Sequence, residues 1–309
     1  MGRNGNSLGS SGRPVLRFAP SPNGHLHLGH ALSAWVGFDM ARRLGGRFLV
    51  RIEDIDIARC REAYVTQMLA ELAWLGLQWE EPVLRQSLHF ATYRMASDTL
   101  LKLGLLYPCF ATRTEIAEAQ PAATDPDGSP IYPGLHKHLE KEEIARRLSR
   151  HEPFALRLHM DRALDALERI TGSRQVTFTE IDADGNGTRI TMDPADWGDA
   201  VIVRKDVPAS YHLAVTVDDA RQGVTHVTRG RDLYAATSLH RLLQCILGLP
   251  EPCYHHHPLL TDSDGRKLSK SGRNTPLAKL RRSGIRPHEI RELIGRAGCA
   301  PARAGAAHF

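Results

Sequence analysis

The chain has 309 residues, 42% of them apolar and 24% charged, with a formal net charge of +5. This predicts one large domain or two smaller ones around a sizeable core and excludes wholesale disorder; the mild positive charge is compatible with a nucleic-acid partner without demonstrating one. No apolar run reaches the roughly 18 residues of a membrane span, and Cys60, Cys109, Cys245, Cys253 and Cys299 form no close pair, which argues against a disulfide framework and fits a reducing cytoplasm.

Residues 1–13 are rich in Gly, Ser and Asn and lack an apolar core, so a disordered tail is expected there and not a signal peptide. Val15 to Ala19 predicts a short strand, broken by a turn at Pro20, Pro22, Asn23 and Gly24. Leu28, Leu32, Trp35 and Val36 recur at helical spacing and predict a helix from Leu28 to Arg43, ended by Gly45 and Gly46. Arg47 to Ile52 reads as a buried strand running into Glu53, Asp54, Ile55 and Asp56. Strand, helix and strand in this order begin a parallel sheet. Helices are expected from Arg59 to Leu75 and from Phe90 to Leu103, and a strand from Leu105 to Phe110.

From Ala111 to about Pro194 the texture changes to Pro- and Gly-rich stretches with short strands at Phe154 to His159 and Gln175 to Thr179. A smaller inserted subdomain is expected there. Parallel-type strands are then expected at Ala200 to Val203, Leu213 to Val217 and Val224 to Val227, with helices over Ala236 to Leu247 and Arg286 to Arg296.

Two segments carry chemistry. His27-Leu28-Gly29-His30 lies at the junction of the first strand and first helix, where free N–H groups and the helix dipole favour phosphate. His27 and His30 are three apart, so both imidazoles reach the same helix end and can stabilise charge developing on an α-phosphate. Gly29 would let a flat base or sugar lie against the backbone. The second segment, Lys267-Leu268-Ser269-Lys270-Ser271, puts two of the chain's seven lysines in one loop that can close on a triphosphate. No Gly-Lys pair occurs, so a P-loop is absent.

Together these segments resemble the HIGH and KMSKS signatures of class I aminoacyl-tRNA synthetases. The strings beginning at Arg17, Arg51, Tyr211 and Gly223 resemble the glutamyl branch of that family, and the resemblance covers about residues 14–280. It implies an α/β fold. Residues 14–110 and 195–275 would form a Rossmann-type parallel-sheet catalytic domain, 111–194 an α+β acceptor-type insertion, and 276–309 a helical tail. It also implies His27, His30 and Lys270 as catalytic residues, and His27, Gly29, His30, Lys267, Ser269 and Lys270 around ATP, which would bring Mg²⁺. L-glutamate would be bound by Arg17, Phe18, Ala19, Pro20, Ser21, Glu53, Tyr211 and Arg229. Glutamate carries two carboxylates and one ammonium, so cations and an anion are both needed. Glu53 is assigned to the ammonium; the arginines Arg17 and Arg229 share the carboxylates. Tyr211 is expected on an apolar strand.

Only 38 residues (309 − 271) follow Ser271, too few for a helical anticodon-binding domain. That shortness resembles the glutamyl-queuosine tRNA(Asp) synthetase family. The implied acceptor is then queuosine in the anticodon loop of tRNA(Asp), with glutamate activated without tRNA. Many such paralogues carry zinc in the insertion; here Cys109, Tyr132 and His136 stand at three ligand places, but Ala111 replaces the second cysteine. Asp182-Ala183-Asp184-Gly185-Asn186 mimics a calcium loop but reads as a hairpin turn. Cys253 to His257 is a weak metal tract in which one histidine is expected near ATP.

Overall fold

The computed structural model describes residues 12–119, 123–260 and 275–296. Strand β1 (Val15–Phe18) is buried at all four positions and lies inside the main sheet. Helix α1 (Leu28–Arg43) follows and returns the chain to β2 (Arg47–Ile52), which pairs parallel with β1 from Val15↔Arg47 to Phe18↔Val50. Gly37 sets how closely α1 lies on the sheet: a Cβ there would stand 2.8 Å from Thr228 Oγ1 and 3.2 Å from the Phe48 ring. Helix α2 (Glu62–Trp74), strand β3 (Glu80–Arg85), helix α3 (Phe90–Lys102) and strand β4 (Leu106–Cys109) come next, β3 having no counterpart among the sequence expectations.

Helices α4 (Arg113–Glu118) and α5 (Lys141–Ser149), strand β5 (Ala155–Leu158), helix α6 (Met160–Thr171), strands β6 (Val176–Ile181), β7 (Gly187–Met192) and β8 (Val201–Val203) follow. Strands β4, β5 and β8 form a separate antiparallel sheet. The β6–β7 hairpin lies within the stretch expected as an insertion, yet β6 pairs parallel with a strand of the main sheet. Its turn is the Asp182 segment. Asp182 Oδ1 accepts the N–H groups of Asp184 and Asn186, both at 2.9 Å, so this carboxylate is spent on its own loop.

Helix α7 (Tyr211–Arg221), strand β9 (His226–Gly230), helix α8 (Ala236–Leu247), strand β10 (Cys253–His257) and helices α9 (Leu277–Arg282) and α10 (Pro287–Arg296) complete the described chain. The main sheet has the order β3-β2-β1-β9-β10-β6-β7, parallel except for β7.

Two expectations need correction. Leu213 to Val217 is not a strand but the middle of α7, and Tyr211 is that helix's first residue. Ser210 caps it, accepting the Leu213 N–H at 3.3 Å. Every residue from Leu213 to Asp219 is buried, against α3 and α8 among others, so no polar face interrupts the run. A helix covered on all sides shows the same β-branched apolar string as a buried strand. The Ala200 to Val203 strand exists as β8, but it pairs antiparallel with β5 and not within the parallel sheet.

Among the described residues no helix is long and apolar enough to cross a membrane.

Candidate active site

In a sheet of this order the chain runs from β1 outward in one direction to β2 and β3 and in the other to β9 and β10. A crevice therefore opens between the carboxyl ends of β1 and β9, where ligands of open parallel sheets bind. A cavity of about 560 Å³ lies there. The expected glutamate residues Arg17, Phe18, Ala19, Pro20, Ser21, Glu53, Tyr211 and Arg229 all line it, as do the expected ATP residues His27, Gly29 and His30. The remaining expected ATP residues, Lys267, Ser269 and Lys270, lie outside the described residues.

At the end of the cavity expected to take ATP, the helix-entry motif closes on itself. His27 is the N-cap of α1, its Nδ1 accepting the Gly29 N–H at 3.1 Å, while His30 Nδ1 accepts the His27 N–H at 3.2 Å. The rings lie 3.9 Å apart. Because each Nδ1 accepts, each ring carries its proton on Nε2. Burial, then the nearby His27, lowers the pKa of His30 to about 3, so His30 is a neutral hydrogen-bond donor and not a cation at physiological pH. The first turn of α1 has no acidic residue to offset the positive helix end. The space left by Gly29 faces His27, whose Cε1 would stand 3.0 Å from an added Cβ, so glycine here sets the ring's place beside the helix. Replacing His30 with alanine is expected to lower kcat for ATP–pyrophosphate exchange by roughly 100-fold or more, the usual scale for one transition-state donor, with little change in glutamate KM. Normal exchange by this variant would remove His30 from the reaction.

The other end of the cavity is a cradle of buried charge. Arg17 is held in a fork by Asp219, Nε to Oδ1 at 2.9 Å and Nη2 to Oδ2 at 3.1 Å. Arg51, fully buried, reaches Asp219 Oδ1 at 2.7 Å and Glu53 Oε1 at 3.0 Å. Burial would raise the pKa of Asp219, but Arg17 and Arg51 outweigh it and hold the carboxylate at about 2. For Glu53 the balance is reversed: burial prevails over Arg51 and Arg17, and its pKa is raised. A substrate ammonium beside Glu53 would relieve that cost. Glutamate KM is therefore expected to fall as pH rises through the raised pKa of Glu53, because the deprotonated form holds the ammonium. Glu53→Gln should lose this pH dependence in exchange assays; its persistence would assign it to another group.

Arg229 is held differently. Its Nε donates to His256 Nε2 at 3.0 Å, Nη1 to His240 Nδ1 at 3.1 Å and Nη2 to Thr237 Oγ1 at 2.8 Å. A guanidinium has five N–H groups, so one remains on each Nη. No carboxylate forms an ion pair with Arg229 among the described residues. Arg17, Arg51, Asp219 and Glu53 are paired with one another, whereas Arg229 is held by neutral acceptors.

Sequence reasoning placed Arg51 and Asp219 within strings resembling the glutamyl branch but gave them no role, and it did not single out His240 or Thr237. The one available signal was the acid pair Asp218-Asp219 closing an apolar run. Of the Cys253–His257 tract, His257 lines the cavity and meets Ser33 Oγ at 2.8 Å.

Cys109, Tyr132 and His136 do come together, but not as a metal site. The Tyr132 hydroxyl accepts the His136 N–H at 2.7 Å, and His136 Nδ1 accepts the Phe110 N–H at 3.1 Å. Cys109 and Tyr132 pack with Ala111 in an apolar cluster, and the Arg157 guanidinium stands 4.0 Å over the Tyr132 ring. With one thiol and one imidazole, a nearby cation and Ala111 in the missing place, this donor set does not fit structural zinc. Among the described residues no group of three or more His, Cys, Asp or Glu is arranged to hold a metal ion. Exhaustive chelation is expected to leave the thermal midpoint unchanged; a fall of several degrees would place a structural metal in the fold.

A parallel sheet with paired histidines at a helix entry and a charged cradle beside them is the outline of a nucleotide-using, acid-activating α/β domain. The family described as "tRNA synthetases class I (E and Q), catalytic domain" matches residues 15–307. The chain belongs to this family and, within it, to the glutamyl-Q tRNA(Asp) synthetases. It is 45% identical to the glutamyl-Q tRNA(Asp) synthetase of Rhodobacter capsulatus, over 91% of this chain and 99% of that protein. The protein of the same name from Nocardia farcinica is 37% identical, over 93% of this chain and 84% of that one. A crystal structure of a glutamate tRNA ligase from Elizabethkingia meningosepticum, in complex with its amino acid, superposes with a TM-score of 0.73 at 26% identity. That match covers 92% of this chain and 61% of that ligase.

Proposed function

We propose that this protein activates L-glutamate with ATP, without needing tRNA for that step, and transfers it to the queuosine base in the anticodon loop of tRNA(Asp). The observation that carries the glutamate assignment is Arg229, a buried cation in the cavity without a carboxylate partner among the described residues, opposite the carboxylate of Glu53. A substrate with one more carboxylate than ammonium fits that arrangement, and a neutral amide does not. The acceptor assignment rests on family membership.

In the first step a glutamate α-carboxylate oxygen attacks the α-phosphorus of ATP in line. The new O–P bond forms as the bond to the bridging oxygen breaks, and pyrophosphate leaves with that electron pair. ATP enters as its Mg²⁺ complex. His30, and His27 at the helix entry, donate to the α-phosphate oxygens as charge builds; the KMSKS-like segment supplies Lys270 and Lys267 to neutralise the departing phosphates and Ser269 as a further ATP contact, and no protein nucleophile or general base takes part. Glu53 holds the ammonium, Arg17 and Arg229 hold the carboxylates, and Tyr211 closes the pocket over them. Transfer then moves the glutamyl group from the adenylate to the acceptor and releases AMP. The reaction belongs to the cytoplasm, where tRNA is modified.

The test is ATP–pyrophosphate exchange with glutamate and no tRNA, followed by charging of tRNA(Asp) with and without queuosine. Exchange with glutamate and charging of the queuosine form alone are expected. Absence of exchange would reject the activation step, and charging of tRNA(Glu) would make the protein an ordinary glutamate–tRNA ligase.

A further inference from the structure

Two arginines face one cavity and are held by opposite means. Arg17 is gripped by a carboxylate, which cancels its charge where it sits. Arg229 is gripped from two sides by imidazoles and from a third by a hydroxyl. We propose that His240 and His256 are specificity-determining positioning residues, which orient Arg229 as neutral acceptors and so leave its full charge for the side-chain carboxylate of the substrate. This rests on the glutamate reading above and adds to it the reason the pocket distinguishes an acid from an amide.

The hydrogen bonds fix the protonation of both rings. Arginine only donates, so the nitrogens facing it, His256 Nε2 and His240 Nδ1, each present a lone pair. His256 Nδ1 then carries its proton and donates to Glu180 Oε2 at 2.7 Å. Glu180 thus anchors the ring, while the imidazole stands between its charge and the guanidinium. His240 Nε2 likewise carries its proton and donates to His212 Nδ1 at 3.1 Å. The third acceptor, the Thr237 hydroxyl, gives its proton to the Tyr234 carbonyl at 2.6 Å and offers Arg229 a lone pair. Protonating either imidazole would put an N–H against an N–H. Burial first, and the Arg229 charge as well, opposes that change, lowering the pKa of His256 to about 4 and that of His240 well below its ordinary value. Each acceptor is thus spoken for on its far side, and among the described residues the guanidinium is located without an ion-paired carboxylate.

Charge and shape can be varied separately at these two positions. Asn Oδ1 stands near the place of His Nδ1 and supplies a neutral acceptor; Asp supplies the same oxygen with a charge. The experiment compares His240→Asn with His240→Asp, and His256→Gln with His256→Glu, in ATP–pyrophosphate exchange with glutamate and with glutamine. The second pair approaches Arg229 from its other side, so the result does not hang on the folding of one variant. In each pair the anionic member should show a glutamate KM at least about 10-fold above its neutral partner. The ratio of kcat/KM for glutamate over glutamine should drop by a similar factor, with KM for ATP the same in both. Equal glutamate KM and equal preference within both pairs would overturn the proposal, because a purely structural role responds to packing and not to charge. Wild-type protein is run alongside. Its failure to exchange glutamate would reject the functional reading itself, whereas active wild type with equal pairs rejects only the neutral clamp.

Discussion

Arg229→Leu is expected to lower kcat/KM for glutamate in ATP–pyrophosphate exchange by roughly 1,000-fold. Two effects add. The substrate carboxylate would enter a site about as closed to water as before, and truncating one partner of a buried, hydrogen-bonded charge pair costs on the order of 2–5 kcal/mol or more. In addition, His256, His240 and Thr237 would each lose the donor they face. The loss should fall on glutamate KM and kcat together while KM for ATP changes little, since His30 and the helix entry lie apart from this cradle. Retention of more than about a tenth of wild-type kcat/KM would mean that Arg17 alone suffices for the carboxylates, and the charge argument would fail.

Asp219→Ala should have the largest effect on stability. Asp219 faces two arginines at once, Arg17 and the fully buried Arg51. Its removal leaves two guanidinium charges buried and without the carboxylate they share, and breaking a buried pair by deleting one partner costs about 3–5 kcal/mol. The pH dependence follows from the depressed pKa of about 2. A carboxylate lower in the folded than in the unfolded chain stabilises the fold above the unfolded value, near 4, and loses that contribution as pH falls from about 4 towards 2. In urea titrations the stability gap between wild type and Asp219→Ala should thus be full at pH 7 and pH 5 and shrink below pH 4. A gap that stays constant down to pH 2.5 would show that lost packing, not charge, accounts for it.

Several parts of this molecule were legible in the chain before folding. The helix from Leu28 to Arg43 and the strand from Arg47 to Ile52 have the expected bounds, because an apolar period and a glycine stop are local signals. Helix α8 was legible for the same kind of reason. The helix from Leu213 onward was not: burial on every side erased the alternation that distinguishes helix from strand. The β6–β7 hairpin was foreseen as local structure, but its attachment beside β10 depends on a contact 74 residues away, between His255 and Ile181.

The candidate site divides along the same line. The sequence alone determined which of these residues share one cavity, because His27-Leu28-Gly29-His30 and the ends of β1, β2 and β9 are short segments whose position on a parallel sheet follows from strand order. Only the tertiary structure decided what each charge is worth. Arg17 and Asp219 are 202 positions apart, and Arg229 and His256 are 27 apart on neighbouring strands. No spacing rule links such pairs, and a sequence does not say whether an arginine is neutralised by a carboxylate or left cationic between two imidazoles. Burial and orientation make that distinction, since a charge taken out of water is governed by the few groups that touch it.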